Sequence, residues 1–182
     1  GGYLHRQFLV TEKPVPLLHT TLPAPRGVFY DLRSEAPGPA VLSPDGTMVT
    51  FSGHDEDGTR RLYLRRLDQG DAVPFAGTES AAYPFWSPDS RSIAYFADGK
   101  LKKVAVAGGP PVSLCNAANG KGGTWNEAGD IVYAPTASSG IFKVPAVGGE
   151  PLEIRPLQDG YGSFRHPRFL PGGREFVFVA VR

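Results

Sequence analysis

Cysteine is nearly absent from this sequence, since Cys115 is the only one among 182 residues. A lone cysteine cannot form an internal disulfide, and it lacks the second thiol of a CxxC redox or zinc motif. The four histidines, His5, His19, His54 and His166, are scattered without the spacing that metal ligands require. The sequence therefore predicts neither a disulfide framework nor a zinc site, and it implies no cofactor.

Long apolar runs and basic tracts are missing as well. No stretch approaches the ~18 apolar residues of a membrane helix, and no signal peptide precedes Gly1. Nineteen Lys and Arg residues nearly balance eighteen Asp and Glu residues, for a formal net charge of +1. We therefore expect no membrane contact by this segment and no nucleic-acid partner. An initiator methionine is also missing, and we interpret both ends as cut from a longer protein.

Glycine and proline, in contrast, are abundant, with 23 and 18 residues and together about twice their usual share. They separate short runs such as MVTF, SIAYF and DIVYA, which are rich in β-branched and aromatic residues. Helical spacing of apolar residues is absent, while a hydrophobic content of 41% is enough for a core. The composition predicts an all-β fold with many short strands and tight turns.

One sequence pattern occurs four times along the chain, as AVLSPDGTMVTF, PFWSPDSRSIAYF, GTWNEAGDIVYA and PRFLPGGREFVFV. When the four copies are aligned, one position is occupied by Ser43, Ser87, Asn126 and Leu170. The spacings between these residues are 44, 39 and 44. A large apolar residue precedes each of them: Leu42, Trp86, Trp125 and Phe169. The alignment requires the turn of the third copy to be one residue shorter.

A second motif repeats with the same period. KKVAVAGGPPVSL recurs as FKVPAVGGEPLEI, and the glycine pairs at 108–109 and 148–149 are 40 residues apart. Two anchors in one order, at one period near 40 residues, predict a β-propeller in which each repeat forms a four-stranded blade. We expect an incomplete ring of three full repeats and part of a fourth.

The repeated Ser-Pro-Asp phrase is interpreted as a turn rather than as a catalytic pair. Proline suits the second position of a type I turn, and the serine and aspartate side chains can bond to nearby backbone. The third and fourth copies keep neither the serine nor the aspartate, which a catalytic pair would not tolerate. We assign turn and core roles to Ser43, Pro44, Asp45, Gly46, Trp86, Ser87, Pro88, Asp89, Trp125, Gly129, Phe169 and Gly172.

These motifs resemble the TolB-type (WD-like) β-propeller repeat, whose blades carry a Trp-Ser-Pro-Asp-Gly turn before an apolar strand. FWSPDSRSIAYF is close to that pattern, LSPDGTMVTF lacks the tryptophan, and the last two copies keep only the aromatic residue and the glycine. The resemblance covers residues 39–182. The extended segment LLHTTLPAPRGVFYDL ahead of the first copy is also similar, more loosely, to the sensor propeller of bacterial receptor-type serine/threonine kinases.

The repeats divide the chain into segments. Residues 1–16 are predicted to be a linker, and residues 17–38 an extended segment. Within it, Leu17 to Leu22 or Val28 to Leu32 could supply a ring-closing outer strand. The blades are expected at 39–80, 81–119, 120–163 and, in part, 164–182. Further blades, or alternatively a second chain, are needed to close the ring.

Few residues stand out as candidates for chemistry. Asp55 and Asp57, in the GHDEDGTRR insertion, are weak candidates for a metal, since the full pattern of a calcium loop is missing. His166, near the end of the central channel, is a weak candidate for ligand binding. Ser163 lies close to it in sequence but not in a nucleophile elbow, so no catalytic residue is predicted.

Two functions from different classes remain open. The first is a non-catalytic sensing or protein-interaction domain of a larger bacterial protein, such as a receptor-type kinase, on the extracytoplasmic side. The second is the gating propeller of a prolyl-oligopeptidase-like serine peptidase. Both predict that this chain is not itself an enzyme and that its partner is a protein or a small molecule. Repeats form the scaffold, while loops and attached domains determine function.

Overall fold

The computed structural model describes Thr21, residues 23–30 and residues 38–182, and all its regular elements are β-strands. The first sheet contains β1 (Val28–Tyr30), β2 (Val41–Leu42), β3 (Met48–Asp55), β4 (Arg60–Arg66) and β5 (Ala72–Pro74). The second contains β6 (Ala82–Trp86), β7 (Ser92–Ala97), β8 (Lys100–Ala105) and β9 (Val112–Asn116). None of these described ranges includes a helix long and apolar enough to cross a membrane.

The third sheet contains β10 (Gly123–Trp125), β11 (Asp130–Tyr133), β12 (Ile141–Pro145) and β13 (Leu152–Arg155). The fourth contains β14 (Ser163–Phe169) and β15 (Phe176–Val181). Strands pair antiparallel in chain order, as β6-β7-β8-β9 and β10-β11-β12-β13. This is the meander of a propeller blade, so the predicted all-β fold with four-stranded blades is confirmed. Ser163, assigned to the third repeat, begins the fourth sheet.

Val28 to Leu32 was one of two candidates for a ring-closing outer strand, and its described part, β1, pairs within the first sheet instead. It pairs antiparallel with β3, with Val28 opposite Asp55 and Tyr30 opposite Gly53. It therefore shares an edge of β3 with β2, on the inner side of the first blade. The reason is aromatic packing across the pair, because Phe29 stacks on His54 and Tyr30 packs on Phe51. The linker at 1–16, and all of Leu17 to Leu22 except Thr21, lie outside the described residues.

The four repeated turns share one backbone geometry. In each, the N–H of the fourth residue donates to the carbonyl of the first at 2.9–3.1 Å, and the fourth residue has positive φ: Gly46, Ser90, Gly129 and Gly173. The first residue of the turn then donates to the carbonyl five residues on in three copies, but four residues on in the third. The third turn is one residue shorter, as the alignment requires.

Serine and aspartate hold the first two turns together. Ser43 Oγ donates to Asp45 Oδ1 at 2.6 Å and accepts the Met48 N–H, and Ser87 and Asp89 repeat that contact at 2.6 Å. Asn126 does the same work in the third copy, with Oδ1 accepting the N–H of Asp130. These side chains satisfy backbone donors inside the turns, which gives them a structural role.

The core lies between neighbouring blades, in three layers of apolar side chains. The first layer joins Met48, Leu62 and Leu64 to Trp86, Ile93 and Tyr95. The second includes Phe85, Phe96 and Leu101 with Ile131, Tyr133 and Val144, and the third includes Val132, Ile141 and Phe164. At about 25 cal/mol per Å² of apolar surface removed from water, this stacking is the main stabilising contribution of the fold.

Hydrogen bonds also cross between blades. Trp86 Nε1 donates to the carbonyl of Val41 at 2.9 Å, and Ser90 Oγ accepts the N–H of Asp45 at 3.1 Å. Between the third and fourth blades, Asn126 Nδ2 donates to the carbonyl of Gly173 at 2.9 Å. The turns therefore fix the stagger of adjacent blades as well as connecting strands.

Candidate functional site

One repeat position, in the inner strand or just before it, has positive φ in all four sheets. It is occupied by Gly38 (+96°), Tyr83 (+49°), Gly122 (+98°) and His166 (+50°), four or five residues before the repeated turn. A bulky tyrosine in this region is rare, and such strain costs ~1–3 kcal/mol. Both ring-bearing residues lie at breaks in strand register, between Ala82 and Phe85 and between Arg165 and Arg168.

The four positions come together across blades. A Cβ added to Gly38 would lie 3.0 Å from Tyr83 Cδ1, and a Cβ added to Gly122 would lie 3.0 Å from His166 Nδ1. The rings of Tyr83 and His166 are themselves in contact, with centroids 5.6 Å apart. The glycines thus give the two rings the room to approach one another.

Lys121 completes this group, which we call the axial cluster: Tyr83, Lys121, Gly122 and His166. Lys121 is only 6% exposed, and its Nζ lies 5.8 Å from the centre of the Tyr83 ring. Its carbonyl accepts the N–H of His166 at 2.9 Å, which ties the third blade to the fourth. A buried ammonium against an aromatic face is a favourable cation–π arrangement.

The electrostatics of the cluster act on His166, which is exposed. Partial desolvation, followed by repulsion from Arg165 and Lys121, lowers the pKa of the His166 imidazole below its usual value. The imidazole is therefore mainly neutral at pH 7. Arg165 itself donates from Nε to Ser163 Oγ at 2.7 Å and from Nη2 to the carbonyl of Ala137.

Ser163 is not placed as a nucleophile. It is 1% exposed, and its hydroxyl is held by Arg165 rather than by His166. A nucleophile needs a base within hydrogen-bond reach and access for its substrate. The structure therefore brings His166, but not Ser163, into an accessible group.

The aspartate-rich insertion forms a hairpin between β3 and β4. Asp55 accepts the N–H of Thr59 at 2.9 Å and makes an ion pair with Arg61 at 3.0 Å, while Asp57 is exposed at the tip. Within residues 21, 23–30 and 38–182, no group of three or more His, Cys, Asp or Glu residues could hold a metal. The carboxylate of Asp55 thus bonds to Thr59 and Arg61 within the hairpin.

A groove of about 470 Å³ opens between the second and third blades, on the side of the repeated turns. Trp125 lines it, half-buried, with Lys103 Nζ 6.0 Å from its ring and bonded to the carbonyl of Ala146. Gly129 stands at this groove where Ser90 stands one blade earlier, so it offers no hydroxyl like the one with which Ser90 accepts the N–H of Asp45. The groove lies apart from the axial cluster.

Sequence reasoning identified His166 but missed Tyr83, Lys121 and the two glycines. A signal was present, because positions 38, 83, 122 and 166 follow the repeat at spacings of 45, 39 and 44 residues. The alternation of glycine with a ring side chain at one repeat position indicates close approach between blades. Lys121 had no such signal, since its burial depends on tertiary packing.

No protein-family model matches the sequence, and no curated protein does. Solved structures do match, among them the TolB-designated protein of Agrobacterium tumefaciens, with a TM-score of 0.65 and 23% identity over 76% of this chain. A chain of the mitotic checkpoint complex gives a TM-score of 0.64 at 14% identity, over 96% of this chain. A gluconolactonase from Xanthomonas campestris gives 0.68 at 12% identity, over 90%.

The match extends over 52%, 55% and 59% of those three solved chains, so this chain spans little more than half of their length. At these identities the likeness establishes architecture and leaves activity to be argued from the site. The sequence repeats, the four-stranded blades and the solved TolB structure all indicate a β-propeller. The chain has the fold of a TolB-type β-propeller, as its repeated turns predict.

Proposed function

We propose that this chain is a non-catalytic recognition domain that binds a protein or small-molecule partner at the axial cluster. The observation that carries this proposal is the convergence of the inner strands on Tyr83 and His166, whose rings meet 5.6 Å apart. Side chains held on the strands of a rigid scaffold can form a recognition site with little cost in ordering.

The character of the cluster supports recognition rather than catalysis. Lys121 is buried against Tyr83, and Ser163 is buried and held by Arg165. The cluster thus offers an exposed imidazole beside an aromatic ring, and none of its four residues is an activated nucleophile. Incubation with a fluorophosphonate probe is expected to leave the chain unlabelled, and labelling at Ser163 would contradict the proposal.

The parent protein we propose is a larger bacterial receptor, such as a serine/threonine kinase with this propeller as its extracytoplasmic sensor. The extended segment LLHTTLPAPRGVFYDL ahead of the first blade supports this parent. Reading the gene outward from both ends is the test. Upstream kinase and membrane-helix sequences with further blades downstream are expected. A downstream G-x-S-x-G motif with later Asp and His would instead identify the gating propeller of a peptidase.

A further inference from the structure

We propose that the turn side of the second, third and fourth blades carries a binding site for an extended, proline-rich peptide segment, centred on Trp125. Proline-rich segments adopt the polyproline II conformation in solution. The site lies apart from the axial cluster, so this inference goes beyond the recognition function proposed above and does not depend on it. It is based on the aromatic side chains and the hydrogen-bond donors that line two adjoining grooves.

The first observation is the indole N–H of Trp125, which differs from that of the tryptophan at the same repeat position one blade earlier. Trp86 Nε1 donates to the carbonyl of Val41 at 2.9 Å. Trp125 Nε1 makes no hydrogen bond to any residue within 21, 23–30 and 38–182. No buried side-chain nitrogen in those ranges lacks a partner, so this N–H is accessible to solvent. The fold therefore leaves an accessible donor that a ligand can use.

The second observation is that Trp125 lies where two grooves meet. The groove of about 470 Å³ described above adjoins a second of about 510 Å³. The two share four lining residues: Pro88, Trp125, Asn126 and Glu127. Together they extend along the repeated turns of three blades, from Ser87 in the second to Arg174 in the fourth, and we call them the turn trough. A depression that crosses three blades suits an extended segment better than a compact ligand.

The apolar lining of the turn trough suits proline rings. Trp125 and Phe169 are half-buried, and Leu170 is 39% exposed. Pro88, also half-buried, lines both grooves. Aromatic-lined grooves bind polyproline II segments because the proline rings pack against flat side chains. Such a segment is already extended before it binds, so it loses little conformational entropy.

Hydrogen-bond donors occur in both grooves. Lys103 lines the first and donates one of its three ammonium N–H groups to the carbonyl of Ala146 at 2.7 Å. Arg174 lines the second, is exposed, and makes no hydrogen bond or ion pair with the part of the chain that the structure describes. With the Trp125 N–H, these groups suit a ligand that has acceptors but few donors. A proline-rich peptide is such a ligand, because proline lacks an N–H and polyproline II leaves its carbonyls unpaired.

The charges that line the turn trough favour a neutral ligand. Lys103 and Arg174 are cationic, and the exposed carboxylates of Asp89 and Glu127 balance them. A partner with a high net charge of either sign would be repelled by one of these pairs. A sugar is neutral too, but its hydroxyls need acceptors, and the Asp89 carboxylate already accepts two hydrogen bonds within its own turn. The turn trough therefore favours a neutral peptide over a sugar.

An octaproline peptide is the probe, and the two indole N–H signals in the NMR spectrum of the isotope-labelled chain are the readout. Trp125→Phe assigns the signals, since it removes one of them. We expect octaproline to shift the Trp125 signal to saturation and to leave the Trp86 signal in place, because Trp86 is 6% exposed and already bonded to Val41. A glycine–serine peptide of equal length should bind at least about tenfold more weakly, because it must be ordered on binding.

Variants then test the two grooves by calorimetric titration with octaproline. Trp125→Phe, which removes the central N–H, should weaken binding at least about fivefold. Arg174→Ala, at the second groove, should weaken it about threefold. Arg155→Ala is the matched control, because Arg155 is an exposed arginine on β13 that lines neither groove, and its affinity should stay unchanged. Arg174→Ala, at an exposed side chain, keeps the test decisive if Trp125→Phe does not fold.

A Trp125 signal that does not move with octaproline would overturn the proposal. An equal response to the glycine–serine peptide, or an equal shift of the Trp86 signal, would also overturn it. A shift with cellobiose but none with octaproline would assign the turn trough to a saccharide and would contradict the peptide assignment. Equal affinities of Arg174→Ala and Arg155→Ala for octaproline would contradict the role of the second groove.

Discussion

Tyr83 and His166 come from the second and fourth blades, yet their rings are in contact, with centroids 5.6 Å apart and an interplanar angle of 50°. The equivalent residue of the blade between them is Gly122, which has no side chain. Its backbone is approached so closely that an added Cβ would lie 3.0 Å from His166 Nδ1. The contact therefore depends on glycine in the intervening blade.

Replacing Gly122 with alanine should destabilise the protein by about 2–4 kcal/mol. The change combines the strain of an L-residue at φ +98° with an overlap against the His166 backbone, whose Cα lies 3.1 Å from the added Cβ. Urea unfolding monitored by circular dichroism measures the difference. The matched control is Gly46→Ala, at φ +72° with no atom within 4 Å, which should cost only about 1 kcal/mol. Equal costs for the two variants would refute the close approach.

The two tryptophans should differ in their contribution to stability. Trp86→Phe removes the 2.9 Å hydrogen bond to Val41 that joins the first two blades, and it leaves a hole in the first core layer. We expect a loss of about 2–3 kcal/mol. Trp125→Phe replaces a half-buried indole at the groove with a smaller ring and should cost less than about 1 kcal/mol. Chemical unfolding measures both variants, and each keeps one tryptophan for fluorescence. A larger loss for Trp125 would contradict the assigned contacts.

Asp89 should make stability depend on pH in the acid range. The hydrogen bond from Ser87, followed by that from the Arg91 N–H, lowers the pKa of the Asp89 carboxyl below 3.8. Because the folded pKa is the lower one, the stabilisation is present above the unfolded pKa of about 3.8 and is lost as pH falls through the folded pKa. Asp89→Asn should flatten the dependence of unfolding free energy on pH below about 4. Asp57→Asn, at the exposed hairpin tip, is the comparison. An equal flattening in that variant would argue against the turn hydrogen bonds of Asp89 as the cause of the pH dependence.

Cys115 should react slowly in the folded protein. Burial raises the pKa of its thiol, and the hydroxyl of Tyr133, at 3.2 Å from the sulfur, only partly opposes that effect. Since the thiolate is the reactive form, alkylation by iodoacetamide at pH 7.5 should be at least about tenfold slower than in urea. Mass spectrometry over time gives both rates. Tyr133→Phe should slow the native reaction further, and an unchanged native rate in that variant would contradict the contact.

Much of the fold could be predicted because local residue preferences specify the turns and strands of each repeat. Proline, glycine and small polar residues specify each turn, and the strands between them are short and rich in β-branched residues. The one-residue deletion in the third turn was visible from the register of Asn126 and Tyr133 alone. The pairing of Val28–Tyr30 with β3 could not be predicted, because no local rule distinguishes the inner from the outer side of a blade. Phe29 and Tyr30 lie on β1, which pairs with β3, and they make aromatic contacts with His54 and Phe51.

The site was harder to predict because it also depends on contacts between residues that are distant in sequence. His166 was found by its place ahead of a repeated turn, but its contact with Tyr83 joins positions 83 residues apart in sequence. The burial of Lys121 depends on how the second and third blades pack, and the local sequence around a lysine does not show this. Turn chemistry acts over a few residues, whereas the axial cluster is a product of stacking.

The alternation of glycine and ring at the inner position also constrains how this sequence can change over evolutionary time. A larger residue at Gly38 would meet Tyr83, and one at Gly122 would meet His166. Each of these pairs spans two adjacent blades, and the atoms met include backbone: Tyr83 Cα at 3.2 Å and His166 Cα at 3.1 Å. Both glycines also have positive φ, so replacing the facing ring with a smaller side chain would not by itself make a larger residue acceptable. Variation at this position is therefore expected in the ring side chains rather than in the glycines.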